Sequence, residues 1–168
     1  AALGASAVIT TATDVNGKFA ADAWAAKNGC AISSMPLAKK VAAEILERDV
    51  PLVSEFPVRG ALPNGVAESD AGALGVLIGI HTKAPFTQTL RLVPRILHIG
   101  IGCRKGISKE TVKATIRAVF TDYDLDLNAV KGVYSIDLKQ QETGLLAACA
   151  KHNWPTVFYT AEELRSVP

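Results

Sequence analysis

"RILHIGIGCRKGISKETVKATIRAVF", residues 95–120, decides the fold. "RILHIGIGC" (95–103) is short, apolar and β-branched, and reads as a strand. Gly100, Gly102 and Gly106 punctuate the turn that follows, with Arg104 and Lys105 between the last two. Ser108 then caps a stretch in which Val112, Ile116 and Phe120 share one helical face. Strand, glycine turn and helix form one unit of an α/β layer. The helix start offers backbone N–H groups and a positive dipole to an anion. The glycine spacing is one residue longer than the dinucleotide fingerprint. Asp122, Asp124 and Asp126 also precede the next strand instead of ending it, so a generic anion site is favoured over a nicotinamide cofactor. A plain tight turn is the alternative.

The same grammar runs on to Pro168. "KGVYSIDL" (131–138) reads as a strand, "KQQETGLLAACAKHN" (139–153) as a helix weakened by Gly144, and "PTVFYT" (155–160) as a strand. Thr160 and Glu163 make a capping box for a further helix. Upstream, "ASAVITTA" (5–12) reads as a buried strand and "KFAADAWAAKNG" (18–29) as a helix stopped by Asn28-Gly29. "CAIS" (30–33) is a short strand. "SSMPLAKKVAAEILERD" (33–49) is the clearest helix, capped by Ser34, with Leu37, Val41 and Ile45 in a stripe. Residues 49–94 contain five prolines and turn signals at "PNG" and "ESDAG", with no lasting helical period. The expected fold class is therefore α/β: two α/β layered segments, 1–48 and 95–168, joined by a small β-rich middle module, 49–94.

A composition of 49% hydrophobic and 20% charged residues marks a globular chain. No apolar stretch reaches the ~20 residues a membrane helix needs. Cys30, Cys103 and Cys149 are odd in number and far apart, which suggests reduced thiols and a cytoplasmic setting. The net charge is +2, yet residues 81–120 carry eight Lys or Arg against one acid, Glu110. That imbalance suggests an anionic partner; a solvated face is the plainer reading.

Asp14, Asn16 and Lys18 fall between the first strand and the first helix, at the edge where α/β sheets bind ligands. Asp14 is the candidate general base and Lys18 a candidate anion contact, although Asp14 and Asn16 also suit a simple helix cap. Ser135, Asp137, Lys139 and Glu142 follow a strand in the same way. Cys103, near a helix start and two cations, is a candidate nucleophile, with a plain buried thiol as the alternative. His98 reads as a core histidine. No His, Cys, Asp and Glu spacing indicates a metal site. Nucleic-acid signatures are absent.

Several stretches together resemble one family: "ITTATDVNGKFAADAWA" (9–25), "PVRGALPNG" (57–65), "LHIGIGCRKGIS" (97–108), "YSIDLKQQETGL" (134–145) and "FYTAEEL" (158–164). They look like the cobalamin-biosynthesis family CbiG, the cobalt-precorrin-5A hydrolases. The resemblance implies a hydrolase of anaerobic cobalamin (vitamin B12) biosynthesis. It would open the δ-lactone of a cobalt-precorrin and release acetaldehyde. A non-catalytic corrinoid-binding module of the same pathway is the alternative. It also implies that residues 1–48 are the end of an N-terminal α/β domain and that 95–168 are a C-terminal α/β domain cut short. The partner would be a small-molecule cobalt corrinoid, with other cobalamin-pathway enzymes as candidate protein partners. Neither nucleic acid nor membrane is expected. The cobalt would arrive in the substrate, so no cofactor is expected. From residue chemistry, Asn16, Gly100, Gly102, Cys103, Arg104, Lys105, Gly106, Ser135, Asp137, Lys139 and Glu142 are substrate-binding candidates, with Arg104, Lys105 and the turn's N–H groups facing the substrate carboxylates.

Overall fold

Alternation of buried and exposed side chains sets the layers in both halves of the chain. The computed structural model describes residues 17–167. The strand expected over 5–12, together with Asp14 and Asn16, lies outside the described residues. The chain divides into two units, one of residues up to Gly79 with 84–92, the other of residues 80–83 with 93 onward.

In the first unit, helix α1 (Ala21–Lys27) buries Ala21 and Ala25. Ala20 holds its N-cap position with no side-chain cap bond. Strand β1 (Cys30–Ile32) follows, and then helix α2 (Met35–Glu47). The Ser34 hydroxyl accepts from the Leu37 N–H at 3.3 Å, closing the helix start as expected. Val41 and Ile45 of its stripe are fully buried. They pack on β2 (Val50–Ser54), β4 (Leu74–Ile78) and β5 (Gln88–Pro94) through Val50, Leu52, Val76, Leu90 and Leu92. Each such side chain contributes about 1.5–3 kcal/mol on burial.

These strands, with β3 (Val66–Glu68), form one five-stranded sheet in the order β1-β5-β4-β2-β3. Every pairing among β2, β3, β4 and β5 is parallel. The 49–94 segment is therefore not a separate β module. Cys30–Ile32 from before the expected boundary lies beside β5, where the Ser33 N–H donates to the Arg91 carbonyl at 3.0 Å. Parallel strands normally need helical crossovers. Here residues 55–65, 69–73 and 79–87 make the connections without helix, so the sequence shows no period that ties these strands to the helices beside them.

The second unit alternates strand and helix: β6 (Leu97–Gly100), α3 (Lys109–Asp122), β7 (Val130–Ile136), α4 (Thr143–Lys151), β8 (Thr156–Tyr159) and α5 (Ala161–Arg165). The sheet order is β6-β7-β8, all parallel. Leu97, Ile99, Val133 and Phe158 face a core built with Val112, Ile116 and Phe120 of α3 and Leu145, Ala148 and Cys149 of α4. α4 begins only at Thr143, because Asp137–Lys139 form a 3-10 turn first. Residues 80–83 dock on this unit: the Thr82 N–H donates to the Asp124 carbonyl and the Asp126 N–H to the Ile80 carbonyl, each at 2.7 Å. The fold class is α/β with two sheets.

Candidate functional site

β6 and β7 end side by side, and their following loops form the carboxyl edge of the small sheet. Two bonds lock the strand ends: the Ile101 N–H donates to the Tyr134 carbonyl at 2.8 Å, and the buried Ser135 hydroxyl donates to the Ile101 carbonyl at 2.6 Å. Ser135 thus positions the glycine turn. Gly106 adopts φ +76°, a conformation that favours glycine. Its N–H donates to Glu142 Oε2 at 2.8 Å, while Lys139 Nζ lies 3.8 Å from Glu142 Oε1. An anion does sit at the expected turn, and it is the chain's own carboxylate. The Gly106 N–H is therefore committed, and Arg104 and Lys105, both exposed, are the cations that remain to meet a ligand there.

Gly144 explains how the loops come so close. A Cβ at this position would overlap the Ile107 carbonyl oxygen. The glycine is needed for close backbone approach, which the expectation of a merely weakened helix had missed. Beside the turn lies a groove of about 280 Å³, lined by Ile99, Ile101, Cys103, Ile107, Thr115 and Val119 among others. The lining is apolar and suits hydrocarbon. Cys103 is half-buried on its wall, whereas burial pushes the Cys149 thiol above its ordinary pKa and leaves it a core group.

Gly100, Gly102, Cys103, Arg104, Lys105, Gly106, Ser135, Asp137, Lys139 and Glu142 thus share one edge of the second unit. Lys18 belongs to the first unit. It borders a cavity of about 380 Å³ with Asp49, Asn64 and Gly65, where the Phe19 N–H donates to the Asn64 carbonyl at 2.8 Å. Asp49 and Asn64 were not singled out by sequence, though Asn64 lies in the resemblance-bearing "PVRGALPNG". His98 is exposed, not a core residue. Strand alternation from Leu97 and Ile99 was the signal that could have placed it. Among the described residues, no group of three or more His, Cys, Asp or Glu could hold a metal ion, and no helix is long and apolar enough to cross a membrane.

The strand–turn–helix just described falls in a segment, residues 97–168, that matches the family model for the cobalamin synthesis G C-terminus. Residues 97–168 resemble a CbiG C-terminal domain. Two curated relatives extend the likeness through the first unit. A cobalt-precorrin-5A hydrolase of Priestia megaterium is 27% identical over 99% of this chain and 50% of its own length. One of Salmonella typhimurium is 32% identical over 97% of this chain and 50% of its own. The chain therefore spans about half the length of the curated relatives it matches. A solved structure, of a cobalamin biosynthesis protein G homolog from Sulfolobus solfataricus, aligns over 96% of this chain and 47% of its own, at 16% identity and a TM-score of 0.39.

Proposed function

We propose that this chain serves cobalamin biosynthesis as part of a cobalt-precorrin-5A hydrolase, opening the δ-lactone of a cobalt-precorrin and releasing acetaldehyde. The observation that carries the reading is the carboxyl edge of the CbiG domain, where a glycine turn, two exposed cations and an apolar groove lie together. A cobalt-precorrin has a hydrocarbon macrocycle rimmed by carboxylates, and those two surfaces suit it. Cobalt is part of the substrate, and no resident cofactor is proposed.

In this reading water adds to the lactone carbonyl and the acyl C–O bond breaks, giving a carboxylate and an alcohol. Loss of acetaldehyde from the alcohol leaves the C–C electron pair on the macrocycle, which takes up a proton. Asp14 is the proposed base for the water, and Lys18 the proposed partner of the oxyanion. Arg104 and Lys105 hold peripheral carboxylates. Lys139 and Glu142 hold the turn in shape, and through it the substrate.

The test is acetaldehyde release by the full-length polypeptide. Asp14→Asn should keep folding and substrate binding and lose ~10²- to 10⁴-fold in turnover. Full release by the Asn variant would end the assignment of Asp14. Substrate binding with no acetaldehyde from the unsubstituted protein would instead favour the non-catalytic binding module, a reading that the apolar groove also suits.

A further inference from the structure

Parallel sheets usually carry helices on both faces. The β6-β7-β8 sheet packs α3 and α4 on one face and shows exposed His98, Val157 and Tyr159 on the other. Strand register decides what the open face displays: His98 lies opposite Gly132, and Gly100 opposite Tyr134. Tyr134 leans back over Gly132, where an added Cβ would stand 3.1 Å from the tyrosine hydroxyl. The Tyr134 ring centre is 5.0 Å from that of His98 and 6.3 Å from that of Tyr159, and the two tyrosine rings are within 15° of parallel. A band of three rings thus crosses the sheet. Gly100 beside it meets nothing within 4 Å of where its Cβ would stand, and the imidazole lies on the edge strand.

Three features of this face match one ligand. Neighbouring rings, with His98 tilted 32° from Tyr134, offer aromatic contact area to a macrocycle. A neutral imidazole offers a lone pair to a transition metal. Past Gly100, the same strand runs into the turn with exposed Arg104 and Lys105, which complement carboxylates at a macrocycle rim. We propose that the open face of this sheet holds the corrinoid, with the His98 imidazole as an axial ligand to its cobalt. The inference rests on the corrinoid reading above and keeps Arg104 and Lys105 as its carboxylate partners, but it seats the macrocycle on the face opposite the α3 groove lined by Ile99 and names the ligating residue. Ligation forms one N–Co bond and releases one axial water, with no change in oxidation state.

Cobyrinic acid, a cobalt corrinoid with free carboxylates, is the probe, mixed with the full-length polypeptide and reduced to Co(II). Electron paramagnetic resonance should show the triplet splitting that one axial ¹⁴N imposes on low-spin Co(II). His98→Ala should lose the triplet and bind about tenfold more weakly, while His81→Gln and His152→Gln keep it. A triplet that survives His98→Ala, or binding with no nitrogen splitting, overturns the ligation and leaves the corrinoid reading standing. Absence of any cobyrinic acid binding overturns it too, and the acetaldehyde assay then judges the wider reading alone. A dimer by sedimentation that Tyr159→Glu dissociates, without corrinoid binding, would give the face to a second copy instead.

Discussion

Glycines do opposite work in the two units. In the first, Gly75 lies within β4 and Gly79 just past its end, where an added Cβ would overlap the Phe86 ring and the Glu55 side chain respectively. In the second, Gly100 and Gly102 face nothing within 4 Å. The first pair exists so that neighbours can pack; the second keeps backbone accessible at a sheet edge. Gly144 of the second unit packs closely as well and makes its open turn possible, because it lets the Ile107 backbone settle on α4 and so presents the turn. A glycine-rich stretch is therefore a packing device or an access device according to what its missing Cβ would meet, and spacing alone does not tell which.

Substitutions can break this contrast, and the chain provides reporters. It has two tryptophans, Trp24 in the first unit and Trp154 in the second, so variants with one Trp left report each unit separately. The largest effect should come from Gly144→Ala. Helix propensity alone would make it stabilising by up to about 1 kcal/mol. Overlap with a backbone carbonyl should win and cost about 3 kcal/mol, read as a lower urea midpoint at Trp154. An unchanged or raised midpoint would mean the loop does not need that approach. Gly75→Ala should cost about 2 kcal/mol in the Trp24 transition, less because a side-chain ring can give way where a carbonyl cannot.

Glu142→Gln comes next. It weakens the bond from the Gly106 N–H and removes the charge near Lys139, for about 1 kcal/mol at Trp154. If the same variant also gains affinity for carboxylate ligands, the internal anion competes with the substrate for the turn.

A smaller effect is pH-dependent, and all three histidines lie in the second unit. Burial lowers the His152 pKa, assisted by Lys151, Arg117 and Lys113, while its ring stacks on Trp154 at 4.4 Å. Because the folded pKa is below the unfolded one, the unfolded state takes up the proton first as pH falls. The Trp154 urea midpoint should therefore drop as pH falls below about 6.5 through the folded pKa. His152→Gln should flatten that dependence, and an equally steep profile would remove His152 as its source. The smallest effect belongs to Gly102→Ala, expected to move stability by less than about 0.5 kcal/mol. A large loss would show that this glycine packs like those of the first unit.

Local grammar was legible where sequence neighbours supply the contacts. Ser34, Ser108 and Thr160 cap as their spacing promised, and the Val112, Ile116 and Phe120 stripe is buried as a face. The 100–106 turn and Ser135, Asp137, Lys139 and Glu142 were each read as following a strand, and the parallel pairing of β6 with β7 brought them to one edge. The five-stranded sheet was not legible in the same way. Its β1–β5 neighbourhood joins residues far apart in sequence, and its crossovers carry no helical period.

The sequence by itself determined the order of elements in the second unit, the caps of α3 and α5, and the family resemblance of residues 97–168, because these depend on short-range periodicity and on motif order. Only tertiary structure decided which partner each polar group took. The Gly106 N–H met Glu142, Ser135 met the Ile101 carbonyl, and His98 turned outward. Those outcomes depend on strand register and on the close approach at Gly144, and register follows from pairing between strands, which no single stretch of the chain contains.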